Sequence, residues 1–161
     1  DSGPELYHTK LYTNIERINR PYTNYPDING NFVIRNVNSN NSELDADYTW
    51  VFFTLETFED IDDKKIYVNG NFNNWRNNEK NELIYNSETR LYEVQILLKQ
   101  GFYNYQYVTV NKNGISSNYD VDGSFYQTEN DYSVLVYYKK FGNRYDSVIG
   151  FGQGNSEKIQ N

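Results

Sequence analysis

Apolar and polar residues alternate with a period of two along much of this 161-residue chain. Apolar residues spaced three or four apart, the sign of an amphipathic helix, do not continue for more than a turn or two. Because successive side chains of a strand point to opposite faces, the alternation predicts an all-β protein. Short strands separated by turn residues at regular intervals indicate an antiparallel two-sheet sandwich.

Two segments give the strongest strand signals. The first, 48–57, reads YTWVFFTLET and places Trp50 and Phe52 on one face, so we expect it to be a central strand. The second, 102–110, has a tyrosine at every other position over its first half. This period predicts that four side chains are among the best buried, namely Trp50, Phe52, Tyr105 and Tyr107.

The remaining strands are shorter, and Asn, Gly and Ser residues that favour turns separate them. They are predicted at 32–34, 66–68, 81–85, 91–98, 132–138 and 145–151. The sandwich is therefore expected to occupy residues 29–151 as one domain. Residues 1–28 are predicted to be an interdomain lead-in with a possible first strand, since Pro21 and Pro26 favour extended backbone before them. Residues 152–161 carry little apolar area, which predicts a flexible tail.

Composition excludes several classes of function. The chain carries 17 Tyr and 9 Phe, and its net charge is −7. Since Lys and Arg form no cluster, nucleic acid is not an expected partner. Mean hydropathy is −0.88, and no apolar run is long enough for a spanning helix, so direct membrane insertion is not expected. The absence of cysteine excludes thiolate chemistry and cysteine-based zinc sites.

Residues suited to catalysis are scarce. His8 is the only histidine, and the chain has no cysteine with which it could form a nucleophile and base pair. The acidic run 59–63 lacks the spacing and the glycine of a calcium loop. Two possible carboxylate pairs are Asp120 with Asp122 and Glu129 with Asp131. Loop acids such as those beside Gly123 are, however, typical of turns. We therefore expect a protein that is not an enzyme and that holds no metal and no cofactor.

The segment 67–75 reads YVNGNFNNW. It resembles the Gly-x-Phe-Asn-x-Trp signature of glycogen- and starch-binding modules, which are early-immunoglobulin-like (E-set) sandwiches. The resemblance implies an E-set fold and a glycan site that includes Asn73, Asn74 and Trp75. In that family a lysine of the central strand and a second aromatic platform complete the site. Here Gln106 stands at the lysine position, and Tyr119 is the candidate for the second platform.

Five blocks spread over the chain resemble the C-terminal domain of the type IX secretion system plug proteins of Bacteroidetes. They are residues 29–34, 46–51, 97–107, 129–138 and 144–150. In that family a longer protein, with a further β domain before this one, associates with the outer-membrane translocon barrel and closes its periplasmic opening. The resemblance implies a periplasmic, outer-membrane-associated accessory domain with that barrel as its protein partner.

Two functions from different classes therefore stand side by side, an accessory domain of a secretion plug and a carbohydrate-binding module. The flanking sequence would separate them, because a signal peptide and another β domain favour the plug and a catalytic barrel favours the module. The candidate contact residues are the same for both, namely Asn73, Asn74, Trp75, Gln106 and Tyr119.

Overall fold

A computed structural model describes residues 7–23, 25, 27–58, 61 and 63–156 of the chain. In chain order its strands are β1 (Tyr7–Lys10), β2 (Asn14–Ile15), β3 (Phe32–Ile34), β4 (Tyr48–Glu56), β5 (Lys64–Asn69), β6 (Glu82–Asn86), β7 (Leu91–Lys99), β8 (Gly101–Tyr103), β9 (Gln106–Asn111), β10 (Ser116–Ser117), β11 (Asp131–Tyr138) and β12 (Ser147–Asn155). They belong to two compact units, residues 1–124 with β1 to β10 and residues 125–161 with β11 and β12.

The predicted all-β sandwich is confirmed. Within the described residues, helix is limited to the single turn α1 (Ser42–Asp45) and a 3₁₀ turn at Asn71–Asn73. The possible first strand is also present, because β1 and β2 both pair with β4. This pairing is parallel, whereas β4 and β7 pair antiparallel as expected.

Strand β6 connects the two layers of the sandwich. Its first part pairs with β5, with Leu83 opposite Ile66, and its second part pairs with β7, with Tyr85 opposite Tyr92. The strand order is therefore β1-β4-β7-β6-β5-β9-β10, with β2 also on β4. In this order β7 and β6 lie between β4 and β5, yet side chains of β4 and β5 pack in one core. The sheet thus doubles over at β6, and β3 and β8 form a separate two-stranded sheet.

The core lies between these layers. Leu55 of β4 and Ile66 and Val68 of β5 are fully buried, and Tyr107 of β9 is 2% exposed. Fully burying an aliphatic side chain of this size contributes about 1.5–3 kcal/mol. Val121, from the segment after β10, closes the same cluster. The predicted burial of Tyr107 is confirmed.

The prediction of which face of β4 is buried was wrong. Val51 and Phe53 point into the core, while Trp50 and Phe52 lie on the opposite face and are only half-buried. Both faces of this strand are apolar, so the period of two identifies the strand but does not choose the inward face. Polar neighbours mark the outer face, since Phe52 lies opposite Gln95 of β7.

A second difference concerns the predicted strand 102–110, which is interrupted. β8 ends at Tyr103 and β9 begins at Gln106. At the break, the side-chain Oδ1 of Asn104 accepts hydrogen bonds from the backbone N–H groups of Ile28 (2.8 Å) and Gly30 (3.2 Å). Tyr105 is consequently half-buried rather than buried, with its ring edge-on to Phe53 at 5.1 Å between centroids.

The second unit is built on the hairpin of β11 and β12. Their antiparallel pairing extends from Asp131–Asn155 to Tyr138–Ser147, with an irregularity between Val136 and Tyr137. β12 continues to Asn155 and so passes the sandwich end that the sequence predicted at 151. Of the predicted tail, residues 157–161 lie outside the described residues.

Replacing Phe53 or Phe52 by alanine tests the orientation of β4. Phe53→Ala is expected to lower the free energy of unfolding by about 3–5 kcal/mol, because it opens a cavity in the core. Phe52→Ala removes the same atoms from a half-exposed position and should cost clearly less. Urea unfolding followed by far-UV circular dichroism measures both. Equal losses, or the larger loss in Phe52→Ala, would contradict the described orientation.

Candidate functional site

The segment that follows β5, residues 70–81, is held in place by buried asparagines. Asn69 is 3% exposed, and its Nδ2 donates to Oδ1 of Asn77 at 2.7 Å. Asn81 is equally buried, and its Nδ2 donates to the backbone oxygens of Val68 (2.7 Å) and Arg76 (3.0 Å). Buried amides with such partners fix a loop strongly, since losing one partner would leave a polar group unsatisfied.

Asn73 and Asn74 shape the tight turn at the start of this segment. The side chain of Asn73 donates to the backbone oxygen of Val68 at 3.0 Å and accepts from the N–H of Gly70 at 3.2 Å. Asn74 ends the 3₁₀ turn in the left-handed region, with φ of 55°, which Asn tolerates better than most residues. Asn73 is therefore a positioning residue, whereas the side chain of Asn74 is exposed.

Trp75 is the exposed aromatic residue of this turn. Its backbone also has a positive φ, of 57°, and its N–H donates to the oxygen of Gly70 at 3.0 Å. One edge of the indole lies against Gly30, where an added Cβ would be 2.9 Å from Cη2 of the ring. The side chain is nevertheless 47% exposed. Trp75 thus offers a single, firmly held aromatic surface.

The structure brings Gln106 to the same end of the sheet as this turn. Gln106 begins β9 and lies opposite Asn69, the last residue of β5. Tyr119 is 60% exposed and follows β10, which pairs with the later part of β9. Among the described residues, no ring contact joins Tyr119 to Trp75.

Sequence reasoning missed the residue that places Gly30 under Trp75. Asn104 accepts two backbone hydrogen bonds from the segment before β3, and one of them comes from Gly30 itself. An added Cβ on Gly70 would lie 2.8 Å from the backbone oxygen of Asn104. The turn that begins at Gly70 is therefore in close contact with the break between β8 and β9. The only signal in the sequence was an asparagine between two tyrosines of a predicted strand, where Asn is unfavourable.

The carboxylate of Asp120 ties the segment after β10 to the sheet. It accepts hydrogen bonds from Nζ of Lys64 (2.9 Å), Oγ of Ser117 (2.6 Å) and Oγ1 of Thr109 (2.5 Å). These three donors hold the pKa of Asp120 at about 2. The charged form is the one that the surrounding groups stabilise.

Asp122 lies two residues after Asp120, and the pKa of its carboxyl is shifted in the opposite direction. Burial raises the pKa of its carboxyl, although Oδ2 accepts the backbone N–H of Tyr107 at 2.7 Å. Two carboxyls with pKa values pushed apart can serve as acid and base in an enzyme. Here both carboxyls accept hydrogen bonds from residues of β9.

A half-open apolar cavity of about 320 Å³ is lined by parts of β1, β4, β7 and β8. The hydroxyls nearest to it are used within the protein, since Tyr103 donates to the backbone oxygen of Lys99 at 2.7 Å and Tyr105 donates to Oδ1 of Asn14 at 3.1 Å. Burial raises the pKa of both tyrosines. Lys99 also belongs to the lining, and its Nζ donates to the backbone oxygen of Glu43 at 2.6 Å.

Neither metal-binding clusters nor long apolar helices occur in the part of the chain that the structure describes. No three acidic or His residues are grouped there as metal ligands. None of the described helices has the length and hydrophobicity needed to cross a membrane. Of the acidic run 59–63, Glu59, Asp60 and Asp62 lie outside the described residues, and Asp63 forms an ion pair with Lys112.

The pH dependence of stability tests the roles of the two aspartates. Asp120→Asn is expected to lower the free energy of unfolding at neutral pH by roughly 1 kcal/mol, because its hydrogen bonds lose their charged partner. Since folding lowers the pKa of Asp120, its contribution is complete above the unfolded pKa of about 4 and is lost as the pH falls towards about 2. The difference in the free energy of unfolding between wild type and Asp120→Asn should therefore become smaller as the pH falls from about 4 to about 2. Urea unfolding at each pH measures this difference.

Asp122→Asn is the matched control. Folding raises the pKa of Asp122, so its charged form lowers stability once the pH exceeds the unfolded pKa. The amide oxygen of the variant can still accept from Tyr107, and no loss of stability is expected at neutral pH. A loss in Asp122→Asn as large as that in Asp120→Asn, or a difference in Asp120→Asn that stays constant down to pH of about 2, would contradict these assignments.

Comparison with known proteins yields a structural relative of unknown function. No protein-family model and no curated protein matches the chain. A hypothetical protein from Parabacteroides merdae ATCC 43184, a member of the Bacteroidetes whose crystal structure is known, is similar to it over 96% of this chain, with 37% sequence identity and a TM-score of 0.81. The chain spans 39% of the length of that protein. The chain thus shares its all-β fold with part of a longer protein from this bacterial group.

Proposed function

We propose that this chain is a non-enzymatic accessory domain of a type IX secretion plug protein, and that it associates with the outer-membrane translocon barrel at its periplasmic side. The observation that carries the proposal is the resemblance of five separate blocks to that family. These blocks correspond largely to strands, since they overlap β3, β4, β7 to β9, β11 and β12. The resemblance therefore covers the framework of the fold and not one short motif.

The Bacteroidetes relative supports this proposal in two ways. Its sequence identity of 37% over nearly the whole chain is consistent with common ancestry in the bacterial group that uses this secretion system. Its greater length is consistent with the longer, multidomain architecture of a plug protein.

The chemistry of the described residues agrees with a binding role. Asp120 and Asp122, which come nearest to a catalytic pair, are engaged with β9. The aromatic content supplies rigid contact area at a low entropic cost, which suits a protein interface. A plug requires a stable body and complementary surfaces, and no reactive group.

A carbohydrate-binding module is the second candidate, and the exposed indole of Trp75 is the observation that favours it. A glycan site of that family combines two aromatic platforms and a cation. Here Gln106, which stands at the position of the cation, is neutral.

Co-purification tests the proposed function. We expect this chain, in its full-length protein, to remain bound to the detergent-solubilised translocon barrel of the same organism through size-exclusion chromatography. An unrelated outer-membrane barrel of that organism serves as the control. If the protein elutes apart from the translocon barrel at micromolar concentrations of both, or binds the control barrel equally well, the proposed function is wrong.

Calorimetric titration with maltoheptaose tests the second candidate. We expect no binding in the micromolar range, because one aromatic platform contributes about 1 kcal/mol beyond area burial, while association costs at least roughly 4 kcal/mol. Trp75→Ala is the informative variant, and Tyr12→Ala removes an aromatic ring that is 98% exposed elsewhere in the chain. Micromolar binding that is lost in Trp75→Ala and kept in Tyr12→Ala would establish the carbohydrate-binding function instead.

A further inference from the structure

Strand β11 has an exposed outer edge. Its other edge pairs with β12, and no further strand of the described residues pairs with either strand of this hairpin. All eight residues of β11 are exposed. The outer edge of such a strand presents backbone N–H and C=O groups with which another strand can pair. It is therefore a place where a second chain can extend the sheet.

The two strands of the hairpin differ in how well their outer edges resist such pairing. β12 contains Gly150, Gly152 and Gly154, and it has an extra residue, Ile149, where the register with β11 shifts. Glycines weaken a strand, and a bulge twists an edge away from a new partner. After Asp131, β11 reads YSVLVYY, which has no glycine or proline and is rich in residues that favour strands. The edge most open to pairing is that of β11.

The hairpin also has too few strands to form a stable sheet alone. A two-stranded sheet is only marginally stable in water, whereas three or more strands with an apolar face can be stable. Apolar side chains are exposed on both faces of the hairpin, with Leu135 and Phe151 on one and Val134 and Val136 on the other. A second hairpin at the edge of β11 would complete a four-stranded sheet and give the side chains of β11 new cross-strand neighbours.

The turn of the hairpin is positively charged. It carries three exposed cations, namely Lys139, Lys140 and Arg144. Asp146 of the same turn is exposed as well, so residues 139–146 have a net charge of +2. Among the described residues, no ion pair joins Asp146 to these cations. Lys139 directly follows β11, so it continues the line of the exposed edge, whereas Asp146 directly precedes β12.

The opposite end of the hairpin is negatively charged. Nδ2 of Asn155 donates to the carboxylates of Glu129 (2.7 Å) and Asp131 (2.8 Å), so both carboxylates lie on the face of Asn155. A carboxylate accepts several hydrogen bonds, so each can also bind a cation. An antiparallel strand at the edge of β11 would bring its own turn to this end. The hairpin is therefore complementary in charge to a second copy of itself in antiparallel orientation.

Symmetry and charge together select the register of such a pair. In two identical antiparallel strands related by a two-fold axis, residues directly opposite each other lie on the same face. Asp131 and Lys139 meet this condition, because an even number of positions separates them and alternate residues share a face. When Asp131 lies opposite Lys139 of the second copy, Leu135 lies on the two-fold axis. Val134 then lies opposite Val136, and both ends of the paired strands carry an ion pair.

We propose that the chain forms a symmetric dimer in which β11 pairs antiparallel with β11 of a second copy, and Asp131 of each copy lies opposite Lys139 of the other. The product is a continuous four-stranded sheet with β12 at both of its edges. Because these edges contain the glycines and the bulge, the association closes at two copies. The inference goes beyond the proposed function and does not depend on it, since the only partner is the chain itself.

Single cysteines test the position of the two-fold axis, because the chain has no cysteine of its own. Leu135→Cys places two thiols opposite each other in the dimer, with Cβ atoms about 4.5–5.5 Å apart, close to the span of a disulfide. Phe141→Cys is the matched control, since Phe141 is fully exposed in the same hairpin but the two turns lie at opposite ends of the proposed sheet. Under copper phenanthroline oxidation, we expect Leu135→Cys to cross-link roughly tenfold faster than Phe141→Cys.

Sedimentation velocity of the purified chain measures the dimer itself. We expect a concentration-dependent equilibrium of monomer and dimer for wild type at about 1–100 µM. Lys139→Glu should raise the dissociation constant roughly tenfold, because it places like charges opposite each other. Lys140→Glu is the matched control, since it changes the net charge equally but lies on the other face, opposite Asn130 of the second copy. Its dissociation constant should stay within about threefold of wild type.

A charge exchange tests whether the ion pair itself is responsible. In the double variant Asp131→Lys/Lys139→Glu the opposite charges are restored with their positions exchanged, so the dissociation constant should return towards that of wild type. Higher salt should weaken the wild-type dimer, because exposed ion pairs are screened. Far-UV circular dichroism checks that each variant is folded.

Several results would contradict this dimer. A wild type that sediments as a monomer throughout the range would show that the edge of β11 does not pair with a second copy. If that monomer instead sediments with vesicles of anionic phospholipid, the apolar hairpin contacts a membrane. Equal cross-linking of Leu135→Cys and Phe141→Cys, or equal weakening by Lys139→Glu and Lys140→Glu, would exclude the proposed register. None of these measurements involves the translocon barrel, so failure of the dimer and failure of the proposed function are distinguishable.

Discussion

The architecture of the first unit depends on the split pairing of β6. Because one strand pairs with β5 through its first residues and with β7 through its last, the sheet folds back on itself. Only this fold-over brings Leu55 of β4 against Ile66 and Val68 of β5, and their burial supplies the hydrophobic stabilisation. Tyr107 and Val121 complete the same cluster, so the later strands and the segment after β10 also depend on it.

Asparagine side chains perform most of the local shaping at the candidate site. Asn69, Asn73, Asn81 and Asn104 direct their amides to the backbone or to one another, which replaces the hydrogen bonds that regular strands would provide. The consequence is a stiff turn that presents one aromatic ring. The exposed indole of Trp75 is the main contact surface of this turn.

The hairpin of β11 and β12 differs from the first unit in the exposure of its apolar side chains. There, one face of β4 is buried in a core and the other carries a mixture of polar and apolar residues. In the hairpin, apolar side chains are exposed on both faces, with Leu135 and Phe151 on one and Val134 on the other. A two-stranded sheet alone is only marginally stable in water.

The sequence by itself determined the fold class, the positions of most strands and the shortage of catalytic groups, because period-two alternation and residue inventory are local properties. It also located the turn that contains Trp75. Only the tertiary structure decided that Phe53 and not Phe52 enters the core, since β4 is apolar on both faces and the choice depends on which face meets β5. The tertiary structure likewise decided that Asn104 interrupts a predicted strand. Each of these outcomes depends on contacts between segments far apart in the chain, which no local pattern specifies.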